Sequence, residues 1–250
     1  MRRTVAALAA LAVIAAGCGG GGGSKPTIKV SAASSLKKAF EDYTKGFDPA
    51  DVSFSFAGSD ELAAQIRQGV KPDVYAAANT KLPAELYARG LVEKQVEFAS
   101  NQLVIALPDG SLKVRSVGEL GSHGLRIAAG SPSVPIGTYT REVLRRLGPA
   151  EASAIERNIR SNEPDVAGIV AKLAEGAVDA GFTYATDVEA SRGRLVGIEL
   201  PARLQPRVVY GAAVVKGAPH PAAARAFVAG LRAGAGRRAL EEAGFGRPGG

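Results

Sequence analysis

"VSAASSLKKAF", residues 30–40, carries the step on which the fold turns. A short apolar run ends in two adjacent serines, Ser34 and Ser35. A helical pattern follows at once, with Leu36, Phe40 and Tyr43 on one face. A serine at such a junction can cap the helix or bind a ligand. It can also be the nucleophile of a Ser-x-x-Lys motif, because Lys37 follows Ser34 and Lys38 follows Ser35 at that spacing.

The same strand-to-helix step recurs on both sides of this stretch. "TIKVSA" (27–32) leads into it, "DVSFSFAG" passes into "DELAAQIRQG", and "PDVYAAA" passes into "LPAELYARGL". Further along, "NQLVIALP" (101–108) reads as a strand, "LRIAAG" precedes the helix "PIGTYTREVLRRLG", and "NIRSNEPDVAGIVAKLAEG" gives a strand end, a polar turn and a helix. Pro135 suits a first helical turn. "DAGFTYATDV" reads as a strand running into a capped turn, "RVVYGAAVVKG" as a long strand, and two helices finish the chain. Strands alternating with helices of this length predict an α/β architecture with mostly parallel sheets. The pattern divides into two similar lobes, the first from 27–100 plus 207–250 and the second from 101–206, with crossovers near 101 and 207.

The first residues stand apart from the fold. "MRR" is a basic start, "TVAALAALAVIAA" an apolar run too short to span a membrane, and "AAGC" ends it at Cys18. Residues 1–17 therefore read as a signal peptide. The small residues before the chain's single cysteine resemble the lipobox of bacterial lipoproteins, although Ala15 stands where leucine is usual. Acylation of Cys18 would anchor the protein outside the cytoplasm, and the Gly-rich stretch through residue 26 would be its tether. The alternative is a plain signal peptide with an incidental cysteine. One cysteine forms no internal disulfide, so the fold must stand on its core. The net charge of +7 includes Arg2 and Arg3. Its basic residues form no block and do not interleave with aromatics, which argues against nucleic acid.

Polar residues gather at the strand-to-helix junctions: Ser34 and Ser35, Ser59, Pro135–Ile136, Asp165–Val166, and Tyr184 at a strand end. In open α/β sheets ligands bind beyond the carboxyl ends of strands, where helix starts present free amides and the positive end of the helix dipole. The inventory is poor in acid–base chemistry. His123 and His220 have no partner at metal-ligand or triad spacing and read as solvated loop residues. Asp60 and Glu61 suit a first helical turn, Asp73 and Asp187 a turn or cap. No cluster fits a transition metal. An acyl-enzyme built on Ser34 or Ser35 with Lys37 or Lys38 would also need Ser-Asp-Asn and Lys-Thr-Gly elements, and "GSDE" at 58–61 lacks the asparagine.

Six segments, "AASSL", "FAGSDELAAQI", "PDVYAAA", "VPIGTYTREVLRRLG", "EPDVAGIVAKLAEGAVDAGFTYATDV" and "EEAGFG", are similar, in that order, to segments of the periplasmic molybdate-binding proteins of ABC importers. The resemblance covers nearly all of the chain from about residue 27. It implies a two-lobed periplasmic binding protein fold of type II, each lobe a mostly parallel sheet flanked by helices, joined by two crossovers. It further implies a monomeric, non-enzymatic receptor that captures molybdate, and with it tungstate, and hands it to a membrane permease and ATPase. No cofactor is implied, the oxyanion being cargo. By position, Ser35 would give its hydroxyl and amide, Ser59 would be the second serine ligand, Ile136 and Val166 would give backbone amides, and Tyr184 its hydroxyl. Gly58 replaces another serine of the common pattern, and Ile136 also departs in side chain. Amide donation survives both departures. The alternative cargo is sulfate or another tetrahedral oxyanion. A lining of donors alone would reject protonated phosphate, whose own proton needs an acceptor.

Overall fold

The structure, a computed structural model, describes residues 25–249. The expected signal peptide, Cys18 and most of the tether lie outside the described residues. The first sheet begins with β1 (Thr27–Ala33), whose apolar residues Ile28, Val30 and Ala32 are buried. A single 3-10 turn, Ser34–Leu36, leads into α1 (Lys37–Thr44), so the helix starts one turn later than its apolar period suggests. Leu36, Phe40 and Tyr43 are buried, as their spacing predicts. Then come β2 (Asp51–Ala57), α2 (Ser59–Arg67), β3 (Val74–Ala77), α3 (Lys81–Ala88) and β4 (Val96–Asn101).

After the single residue Gln102 the chain enters the second sheet with β5 (Leu103–Pro108). It continues through β6 (Ile127–Gly130), α4 (Pro135–Leu147), α5 (Pro149–Glu156), β7 (Ile159–Glu163), α6 (Val166–Ala174) and β8 (Ala180–Tyr184). The short helix α7 (Ala185–Ala190) and β9 (Leu195–Glu199) complete that half. The chain then returns to the first sheet with β10 (Val208–Val214) and ends in α8 (Pro221–Gly230) and α9 (Gly234–Glu242).

The two sheets are built alike. One runs β2-β1-β3-β10-β4 and the other β7-β6-β8-β5-β9. In each, three parallel strands are followed by one antiparallel strand, which arrives from the other lobe, and then by a fifth strand antiparallel to it. The pairings Ala33 with Ala57, Ala32 with Ala76 and Gly130 with Glu163 keep the carboxyl ends of the parallel strands level. The first core centres on Phe40, which meets Phe227 edge-on at 5.4 Å and lies 6.1 Å from Phe98. The two passages between sheets are clasped by Gln205, whose side-chain amide accepts from Leu103 N at 3.2 Å and donates to Leu103 O at 2.8 Å.

Four elements depart from the sequence reading. β4 is a strand the sequence reading lacks, because that reading begins a strand only at residue 101. The capped turn after Tyr184 is the helix α7. Helix α5 buries only Ile155 and so lacks a periodic stripe, and β9 is a half-exposed strand with Gly197 at its centre. Asp73 is more than a turn residue. It is buried, accepting from Lys29 N at 2.8 Å and from His220 N at 2.9 Å, and so staples β1 to the start of α8. No helix among the described residues is long and apolar enough to cross a membrane.

Candidate functional site

The level carboxyl ends of the parallel strands in both sheets face one cavity. Ser34 and Ser35 reach it from the end of β1, Gly58 and Ser59 from the end of β2, and Ala78 from the end of β3. Pro135 and Ile136 come from the start of α4, Asp165 and Val166 from the start of α6, and Tyr184 from the end of β8. The structure thus brings Ser35, Ser59, Ile136, Val166 and Tyr184, five residues distant in sequence, to one place. Among the described residues, no lysine, arginine or histidine lines it. The space open to the centre of a water-sized sphere is about 20 Å³. That suits a ligand of a few atoms and is too small for a sugar or a peptide, since one water alone needs roughly 10–15 Å³ on this measure.

The helix starts are left open. No side chain caps the turn at Ser34, the start of α2 at Gly58 or the start of α4 at Val134. Their first amides therefore lack the partner that a cap would give. At α6 the Asp165 side chain does cap, accepting from Gly168 N at 3.0 Å. Asp165 is also among the residues that line the cavity.

The hydroxyls are held by their neighbours. Ser59, 2% exposed, accepts from Ala78 N at 3.1 Å through its Oγ, which leaves its proton available. Ser35 Oγ lies 3.0 Å from Tyr210 Oη, and Asn101 Nδ2 donates to Tyr210 Oη at 3.4 Å and to Thr186 Oγ1 at 2.9 Å. With Asn101 donating, Tyr210 can pass its proton toward Ser35, and Ser35 can turn its own outward. Tyr184 is 1% exposed, and its Oη has no hydrogen-bond partner among the described residues. Burial, reinforced by Tyr210, Tyr139 and Asp187, holds its phenol well above the usual range, so it remains a donor. Asp187 accepts from Tyr184 N at 3.0 Å; burial pushes its carboxyl up to about 7 against that hydrogen bond, with Asp165 adding to the rise.

Tyr210 and Asn101 escaped the sequence reading. Tyr210 sits in a wholly buried strand and reads as core, and Asn101 lies at a crossover; neither carries a local signal. The lysines that suggested a catalytic dyad point elsewhere. Lys37 and Lys38 are exposed, and Lys38 pairs with Asp42 at 2.7 Å.

Residues 28–246 match the family of bacterial extracellular solute-binding proteins. The chain belongs to that family. Among its curated relatives, the molybdate-binding protein ModA of Mycobacterium tuberculosis is 36% identical over 228 residues, covering 89% of this chain and 85% of the relative. ModA of Haemophilus influenzae is 30% identical over 247 residues, covering 94% and 95%. Among solved structures, the periplasmic molybdate-binding protein of Azotobacter vinelandii superposes with a TM-score of 0.79 at 23% identity, covering 88% of this chain and 99% of that one. The sulfate-binding protein SubI of M. tuberculosis superposes with a TM-score of 0.77 at 16% identity, covering 88% and 86%. At these identities the structural likeness establishes the fold, the two-lobed type II arrangement that the resemblance implies.

Proposed function

We propose that this protein is the extracytoplasmic molybdate receptor of an ABC importer, binding tungstate as well. On this reading it is held at the membrane through Cys18, works as a monomer without catalysis, and delivers the anion to the permease and ATPase. The observation that carries the reading is the buried hydroxyl of Tyr184, unpartnered among the described residues, in a cavity that three uncapped helix starts also border. An unmade hydrogen bond inside a protein costs about 1–3 kcal/mol, and an oxyanion would supply the missing acceptor. Amide and hydroxyl dipoles from both lobes can hold a dianion without a buried cation. In this reading Ser35, Ser59 and Tyr184 give hydroxyls, and Ile136 and Val166 give amides. The relatives named for molybdate supply the choice among oxyanions, since charge and shape alone would admit sulfate.

Titration calorimetry of the purified protein with molybdate, tungstate, sulfate and hydrogen phosphate tests the reading. Molybdate and tungstate should bind with a Kd of about 1 μM or tighter. Tighter binding of sulfate would reassign the cargo, and no binding of any of the four would refute the proposal. Because the acidic residue Asp165 borders the cavity, rejection of phosphate is the most exacting arm.

A further inference from the structure

Gly58 ends the second strand-to-helix step, and nothing in its own backbone requires glycine. Its φ of −59° and ψ of 136° are open to any residue. What excludes a side chain is the other lobe. A Cβ at position 58 would stand 2.4 Å from Pro164 O and 3.0 Å from Asp60 Oδ1. Asp60 can swing aside, being the far end of a flexible side chain. The Pro164 carbonyl is backbone, fixed between β7 and α6. Heavy atoms settle at roughly 3.5 Å, so any side chain here would hold the two loops about 1 Å further apart.

That stand-off would fall on the cavity itself, since Gly58 and Asp165, the neighbour of Pro164, both line it. Beside it, Tyr139 Oη of α4 donates to Ala78 O at the end of β3 at 3.1 Å, a hydrogen bond between the lobes. We propose that Gly58 is a closure-determining residue: its missing side chain sets how near the β7–α6 loop comes to the start of α2, and so how well donors of the two lobes converge on one ligand. The inference rests on the reading of the cavity as an anion site between closing lobes. It assigns the departure at Gly58 to geometry between lobes, because amide donation alone would tolerate any residue there.

The contact exists only with the lobes together, so a side chain at 58 penalises the closed form and spares the open one. Two variants separate this from a fold defect. Serine is a better helix cap than glycine and alanine a worse one. Gly58→Ser should therefore keep or raise the melting temperature of the ligand-free protein, and Gly58→Ala should lower it slightly. Both should weaken molybdate binding about 10- to 100-fold, as expected when one or two charge-assisted hydrogen bonds are stretched. The loss should appear in the dissociation rate, measured by stopped flow, with the association rate within about threefold of wild type. Binding by either variant within about twofold of wild type would overturn the proposal. So would full affinity in Gly58→Ser alone, which would mean that its hydroxyl reaches the ion unhindered. If wild type binds none of the four oxyanions, the functional reading falls first and takes this one with it.

Discussion

Replacing Tyr184 by phenylalanine should move stability and affinity in opposite directions. The ring stays packed, edge-on to Tyr210 at 6.0 Å and to Tyr139 at 6.4 Å, so the substitution removes an oxygen and little else. That oxygen is buried without a partner. In the closed, empty protein it costs about 1–3 kcal/mol, and its removal returns up to that amount. For a chain of this size each kcal/mol is worth about 2–4 °C in melting temperature. The ligand-free variant should therefore melt no lower than wild type, and higher to the extent that the empty cleft is closed. Molybdate binding should weaken by about 1.5–3 kcal/mol, the worth of a hydrogen bond to a charged group, which is roughly 10- to 150-fold in Kd. Differential scanning calorimetry without ligand and isothermal titration with molybdate read the two quantities. A fall in the ligand-free melting temperature would mean that the hydroxyl has a structural partner. An unchanged Kd would mean that it has no ligand, and either result would refute the argument.

Ser59→Ala should lose on both counts, because Ser59 Oγ accepts from Ala78 N as well as lining the cavity; thermal melts should show about 1 kcal/mol lost and titration about tenfold weaker binding. Tyr210→Phe should weaken binding by releasing Ser35, and the double variant with Ser35→Ala should bind no worse than Ser35→Ala alone, a non-additivity that a double-mutant cycle measures. Asp187 makes the protein sensitive to pH. Its carboxyl is raised in the fold to about 7 by burial, so its contribution to stability is fully present below the unfolded value of 3.8 and is lost as pH rises through about 7. Molybdate affinity should fall over the same window as a negative charge develops beside Tyr184, and Asp187→Asn should flatten both profiles in melts and titrations at about pH 6 to pH 8.

The outline of this site is legible in the sequence because its donors belong to local patterns. Ser35, Ser59, Ile136 and Val166 each follow an apolar run and precede a helical period, so parallel pairing alone brings them to one edge of a sheet. Partners from elsewhere in the chain are not legible in that way. Tyr210 lies in a strand buried along its whole length, and only its 3.0 Å contact with Ser35 distinguishes it from core. Asp73 reads as a turn residue until Lys29 N and His220 N are found on its two oxygens. Gly58 has an unremarkable local conformation, and its constraint comes from a carbonyl beyond β7 in the other sheet. Elements are missed for a kindred reason: α5 and β9 bury so few residues that periodicity is weak, and their partners across the fold define them.

If the proposed hydroxyls and amides hold the anion, their division between two lobes has a consequence for transport. Were one lobe to hold an arginine, that lobe alone could bind the anion tightly and leave the cleft open. Here each lobe offers only two or three dipoles, and the cavity lining carries no cation. Two hydroxyls from the first lobe, at about 1.5–3 kcal/mol each, correspond to a Kd no better than about 40 μM to several mM. Tight binding needs the second set, which reaches the ion only when the loops at Gly58 and Pro164 meet. Binding and closure are then a single event, and the loaded protein differs in shape from the empty one by the full movement of the lobes. The unpaired hydroxyl of Tyr184 sharpens that difference, because it raises the energy of a closed but empty cleft and lowers that of a closed and filled one. A permease that recognises the closed shape would accordingly be presented with cargo and seldom with an empty receptor.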